Sequence, residues 1–289
     1  MISSSDSGAA ASYDVTDKAF TTYDIQACLF DPQRVEYLRS AIFQTVKPGD
    51  VVVDAGSGSG LLGMFAAQAG AARVYCLELN PEFIRVIEEN AQRNGLESQI
   101  IALHGNAAKY DLPEDVDVLI SEVISAGFFF EPQLQIVGHL RKFLKPGGAV
   151  VPRLMKNYVE LINAQNTLYG LRLDFDSRFT ELAGDHPLSH PALYLSTGFL
   201  DPSDPTVDAR VRVTGTSDGN ANAVKITYDI EFAEGIWADT PTEFLLNPQI
   251  IFLPEPVRVQ ADQEYEVSLN YLAGDSPLTC KIGVLPASA

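Results

Sequence analysis

The chain has only 3 cysteines, 4 histidines, 3 methionines and 1 tryptophan among 289 residues, and these shortages exclude several classes. Cys28, Cys76 and Cys280 are odd in number, far apart and without CxxC spacing. Neither a disulfide framework nor a zinc site is expected, and a reducing cytoplasm is the default compartment. His104, His139, His186 and His190 lack metal-ligand spacing, so no metal is expected. No apolar run reaches the roughly 18 residues of a membrane span. Basic residues are scarce too: 20 Lys and Arg stand against 38 Asp and Glu, a net charge of −18. Such a surface repels phosphate backbones and no basic stripe offsets it, which argues against nucleic acid. It suits a cationic partner, although acidity by itself means only solubility. The first 20 residues lack the basic and apolar regions of a signal peptide and read as a flexible leader.

The patterning that is present divides in two. In residues 30–46, Val35, Leu38, Ile42 and Val46 recur at helical spacing, with Asp31 as an N-cap and Pro32 at the first helical position. VVVDAG then reads as a strand buried on both faces, LLGMFAAQAGA as a helix and ARVYCLEL as a second strand. PEFIRVIEENAQRNGL is a helix stopped near Asn94-Gly95; QIIALHG, DVDVLISE and GGAVVP are further strands, with QLQIVGHLRKFLKPGG helical before the last. This alternation predicts an α/β, Rossmann-like parallel-sheet domain over residues 21–152. Past Pro152 the segments ARVRVTGT, AVKITYDIEF and EYEVSLNYL predict antiparallel sheet over 153–289, a β-barrel or β-sandwich, with at most a short helix around 163–183.

VVVDAGSGSGLLG holds two motifs at once. Gly58, Gly60 and Gly63 satisfy GxGxxG, whereas Gly56, Gly58 and Gly60 give DxGxGxG with Asp54 at the strand end. Charge favours the second. A dinucleotide lays an anionic pyrophosphate over this turn, where a carboxylate would repel it. S-adenosylmethionine (SAM) carries an ammonium and a sulfonium instead. Glu78 closes the second strand, where it can accept hydrogen bonds from ribose hydroxyls. The bland alternative is a glycine-rich turn that serves only chain geometry.

SEVISAGFFFE (121–131) places Glu122 and Glu131 at the two ends of an apolar run. Glu122 ends a parallel strand on the side where open α/β sheets bind ligands. Glu131 precedes a proline and a helix, so a helix-start carboxylate is the competing reading. Phe128, Phe129 and Phe130 read as packing.

Taken in order, these blocks resemble the protein arginine methyltransferases from about residue 28 to residue 162. The Glu122–Glu131 interval equals the spacing of that family's double-glutamate hairpin, and CLFDPQR resembles its segment before the sheet. The resemblance implies that Arg34 grips the SAM carboxylate and that Asp54, Gly56, Gly58, Gly60 and Glu78 surround the cofactor. It further implies that Glu122 and Glu131 grip a guanidinium bidentately, with Asp31 beside them at the catalytic centre. A homodimer is also implied, with GLRLDFDSRFTELAGDHPLSH as the counterpart of a dimerisation arm.

The chain departs from the pattern on the acceptor side. The family's Thr-His-Trp loop would fall near LLNPQII (245–251), without its His or Trp, so the partner of Asp31 is missing. Val123, Ile124, Ser125 and Ala126 replace Trp-Met-Gly-Tyr. Ala108 replaces the acid that meets adenine, leaving Asn106 or the backbone near Ala107 to serve. The expectation is a SAM-dependent N-methyltransferase acting on a guanidino or amino nitrogen of a small molecule or specialised peptide. A divergent protein arginine methyltransferase and a silent SAM-binding regulator are the alternatives.

Overall fold

The computed structural model describes residues 14–173, 175–201 and 204–287; the start of the expected leader lies outside them. Two helices precede the sheet, α1 (Thr22–Leu29) and α2 (Pro32–Thr45). A reciprocal capping box between Thr21 and Asp24 starts α1. Asp31 caps α2 by accepting from the Arg34 N–H, with Pro32 in the first turn.

The parallel sheet follows as β1 (Val51–Ala55), α3 (Leu61–Gln68), β2 (Arg73–Glu78), α4 (Pro81–Arg93), β3 (Ile100–His104), β4 (Val116–Ile120), α5 (Gln133–Leu140) and β5 (Leu144–Val151). All its pairings are parallel, in the order β3-β2-β1-β4-β5. Every residue of β1 is buried, as a central strand covered on both faces requires. The order reverses between β1 and β4, so their carboxyl ends open a crevice at the topological switch point. α5 is shorter than its sequence suggests: it gives way to a 3-10 turn at Arg141–Phe143, and β5 already begins at Leu144.

After Pro152 every described pairing is antiparallel. The long strands are β6 (Leu154–Asn163), β11 (Ala192–Gly198), β12 (Thr206–Thr214), β13 (Gly219–Ala233), β15 (Gln249–Val259), β16 (Glu264–Leu272) and β17 (Lys281–Pro286). Two-residue strands fill the gaps: β7 (Thr167–Leu168), β8 (Leu171–Arg172), β9 (Ser177–Arg178), β10 (His186–Pro187) and β14 (Ile236–Trp237). One sheet of seven strands centres on β6, β13 and β15; β12, β16 and β17 form another of three. Among the described residues these pairings do not close into a ring.

No described residue between 163 and 183 is helical, contrary to expectation. Tyr169 and Gly170 both take positive φ, 56° and 78°, which closes the tight hairpin of β7 on β8. One continuous core joins the two halves, running from Leu38 and Val52 through Phe128 and Phe129 to Tyr228 and Leu269. No described helix is long and apolar enough to cross a membrane.

Candidate active site

The crevice is walled by the segment before α1, by the glycine turn after β1, by Glu78 and by the hairpin after β4. Gly56, Gly58 and Gly60 all adopt left-handed backbone, at φ 79°, 53° and 82°. A side chain at Gly56 would also press on Val123, with its Cβ 3.0 Å from Cγ2. The turn is fastened from below. Glu78 accepts the Gly58 N–H at 2.7 Å through one oxygen and the Asn80 N–H at 2.8 Å through the other. A carboxylate has about four acceptor positions, so capacity remains for hydroxyls in the crevice.

Asp54 behaves differently from its expected role. Its carboxylate is 1% exposed, accepts the Gly63 N–H at 2.9 Å, and does not line the crevice. Burial pushes it up to about 7. It is tucked under the turn at the start of α3, and does not present a charge to a cofactor. Gly60 likewise starts α3 outside the crevice lining.

Asn106 is also committed. Its amide group donates to the Thr16 carbonyl (2.9 Å), the Thr16 hydroxyl (3.0 Å) and Asp17 (2.8 Å), while its oxygen accepts from Ala108 N–H. Lys109 pairs with Asp14 at 2.7 Å and Asp17 at 2.9 Å, and Asn80 donates to the Phe20 carbonyl. These contacts lay residues 14–20 along the crevice. Ala107, buried at its wall, keeps its place in the lining.

At the other end of the crevice, Arg34 meets Glu122 rather than standing free. Its Nε donates to one Glu122 oxygen at 3.3 Å, a terminal nitrogen donates to the other, and the second terminal nitrogen reaches the Cys28 carbonyl at 3.2 Å. The paired side chains are only 11% and 4% exposed. A guanidinium has five N–H donors, so a further carboxylate could share it.

The hairpin between the glutamates is held by its own strain and by distant partners. Gly127, Phe128 and Phe130 all have positive φ, at 66°, 57° and 66°, which a bulky residue adopts only where its surroundings enforce it. Gly127 N–H donates to Asn157 Oδ1 at 2.8 Å. Gly274 N–H donates to the Phe128 carbonyl at 2.7 Å, and Phe130 N–H to the Asp275 carbonyl at 2.9 Å. Phe128 and Phe129 are fully buried, Phe129 against Tyr271 at 4.5 Å between ring centres. Phe130 instead borders the crevice, with the Lys18 ammonium 5.4 Å from its ring centre. Gln133, wholly buried, donates to the Ser121 carbonyl and accepts from Ser121 Oγ and Val123 N–H. Gln133 and Asn157 were not legible as supports of this hairpin. Only Gln133 carried a signal, a polar side chain opening an apolar helix.

Glu131 is not the cap of α5, whose N-cap is Pro132. Half-buried, its carboxylate makes no hydrogen bond or ion pair among the described residues, and it stands beside the crevice lining, between Phe130 and Pro132, rather than in it. Burial pushes it up to about 7, against the pull of Arg34 and Lys18. Asp31, 5% exposed, accepts from Arg34 N–H, from the Thr242 hydroxyl and from Phe244 N–H. The loop that meets Asp31 is therefore 242–244 and not 245–251, and a hydroxyl with a backbone amide takes the place of the missing imidazole.

Known proteins resemble the chain in sequence and in fold. The model of the ribosomal protein L11 methyltransferase (PrmA) family matches residues 36–167. An arginine N(omega)-methyltransferase of Streptomyces achromogenes subsp. streptozoticus is 29% identical over 276 residues, 85% of this chain and 75% of that one. A "probable protein arginine N-methyltransferase 6" of Arabidopsis thaliana is 37% identical over 148 residues, but the chain spans only 34% of its length. In fold, the chain matches Trypanosoma brucei PRMT1, solved as an enzyme-prozyme heterotetrameric complex with AdoHcy, at a TM-score of 0.74 and 18% identity, over 94% of this chain and 98% of that one. Arabidopsis thaliana protein arginine methyltransferase 10 follows at 0.72 and 19%, over 86% and 88%. With a parallel sheet, a glycine turn closed by Glu78, and antiparallel sheets behind, the chain is similar to the arginine methyltransferases, and it is a methyltransferase that uses SAM as its cofactor.

Proposed function

We propose that the chain methylates a guanidino or amino nitrogen of an arginine-like small molecule. The observation that carries this reading is Glu131: a half-buried carboxylate without a partner, on the same hairpin as Glu122 and within the field of Arg34. A desolvated carboxylate of this kind awaits a cation. Glu131 together with Glu122, once Arg34 turns to the cofactor carboxylate, can hold a planar guanidinium bidentately and aim one nitrogen. The relative named for arginine itself, matched over most of both chains, favours a small acceptor over a protein one.

Bound SAM supplies the electrophilic methyl group. The remaining work belongs to the chain. Glu78 would hold the ribose hydroxyls, the glycine turn would admit the cofactor close to the backbone, and the wall at Ala107 would flank its adenine. Arg34 would steady the cofactor's carboxylate with its spare donors. Glu122 and Glu131 draw positive charge toward the nitrogens they bind, which leaves the third nitrogen more nucleophilic. Asp31 acts by fastening the 242–244 loop to α2. The homodimer implied by the resemblance is part of this proposal: Tyr169, Leu171 and Phe179 stand 97%, 64% and 72% exposed, where a second copy could cover them.

A radiolabelled-methyl screen of free arginine, other guanidines and amines against arginine-containing peptides tests the reading. Label in the small guanidines is expected. Label confined to peptides would return the chain to the protein-directed enzymes, and label nowhere would favour a silent SAM-binding regulator.

The activity should also depend on pH. Glu131 must be ionised to grip a cation, so kcat/KM should rise through about pH 7 and fall about tenfold per unit below it. The groups facing Glu131 are Arg34 and Lys18, which favour ionisation, with Asp24 opposing it and Cys28 and Tyr228 neutral. For stability the sign is opposite. Its ordinary value is 4.5, so the contribution Glu131 makes as a neutral group is complete below that pH and lost as the pH rises to about 7. A pH–rate profile flat between 5.5 and 8 would exclude an essential Glu131 ionisation.

A further inference from the structure

Tyr228 lies on β13 directly opposite Asn157 on β6. Opposed residues of an antiparallel pair share a face, and Asn157 binds Gly127 of the glutamate hairpin. β13 also packs against α2 and against the hairpin's 3-10 turn at Ala126–Phe128. The phenol is buried, and its oxygen accepts the Leu246 N–H at 2.8 Å. Leu246 belongs to the loop whose Thr242 and Phe244 bind Asp31 at the start of α2. The hydroxyl is thereby carried to the end of α2 that bears Arg34.

Its own proton has no acceptor among the described residues. Glu131 shows the complementary deficit, a carboxylate with no donor. Burial, with the Glu131 charge adding to it, pushes the Tyr228 hydroxyl well up, so it stays a neutral donor. Neither is saturated, and Glu131 has no partner that fixes its rotamer.

We propose that Tyr228 is a positioning residue of the acceptor clamp: its O–H donates to the Glu131 carboxylate once that group is ionised, and fixes which oxygen faces the methyl-accepting nitrogen. This rests on the two-glutamate reading above. A donor to the charged form lowers the proton affinity of a carboxyl group. Tyr228 therefore supports ionisation alongside Arg34 and Lys18, against Asp24, with Cys28 neutral.

The test is a carboxyl-carbon NMR titration of Glu131 in the full chain, with the signal assigned through Glu131→Gln. In Tyr228→Phe the proton affinity of Glu131 should rise about tenfold. 3-Fluorotyrosine at position 228, a stronger donor of nearly the same shape, should move it the other way and keeps the test alive if the phenylalanine variant folds poorly. The rising limb of the pH–rate profile with L-arginine should shift in the same order. Identical Glu131 titration in native and substituted chains would overturn the proposal, even if Tyr228→Phe melts earlier through its lost bond to Leu246. Full activity of Glu131→Gln would instead remove the clamp, and the titration would still decide whether the two groups touch.

Discussion

Replacing Glu131 by Gln lowers acceptor kcat/KM by about 10²–10³-fold and leaves SAM affinity within about threefold. The amide keeps the shape but surrenders the charge that a guanidinium, with a pKa above about 12, requires. Truncating one partner of a desolvated charge pair costs about 2–5 kcal/mol, which sets the size of the loss. Glu122→Gln should be as damaging, with one difference. Arg34 now spends two of its contacts on Glu122, so removing that charge releases the guanidinium toward the cofactor carboxylate. SAM binding should then hold or tighten. Steady-state methyl transfer and calorimetric SAM titration measure the two effects separately. If both variants turn over at the native rate, no glutamate clamp exists.

Glu78→Ala has the opposite signature: SAM affinity falls about 10²-fold, and acceptor kcat/KM follows only through the cofactor. The carboxylate serves two structural amides, Gly58 N–H and Asn80 N–H, besides the ribose it would hold. Losing the acceptor of a buried N–H costs about 1–3 kcal/mol. The glycine turn should therefore loosen, and the melting temperature should drop together with the affinity. Glu78→Gln retains one good acceptor and should fall between. Native SAM affinity in Glu78→Ala would place the cofactor away from this crevice.

These predictions differ in how far they were legible beforehand. The α2 cap at Asp31, the buried strand at Val51–Ala55 and the stop of α4 before Gly95 rest on neighbours within a few residues. Local patterning reads such features well, because the interactions that decide them are local. The glycine turn and the double glutamate were legible for the same reason, as short motifs.

Orientation was not. Asp54 sits where a SAM-binding acid was expected, yet its side chain points under the turn to Gly63, a choice between two rotamers that spacing does not encode. Asn106 was available to meet a cofactor until Thr16 and Asp17 claimed its amide, residues 90 and 89 positions away. The short helix allowed for around 163–183 is absent among the described residues, because Tyr169-Gly170 turns the chain back into a hairpin.

By itself, the order of residues determined the change of class near Pro152, the cofactor chemistry and the two carboxylates of SEVISAGFFFE. The tertiary structure alone decided which charges are spent and which remain open: Glu122 is taken by Arg34, Asp31 by Thr242, and Glu131 by no described residue. Saturation depends on partners from three separated segments, around residues 31–34, 122–131 and 242–244, and proximity in space is a property of the packed chain rather than of any stretch of it.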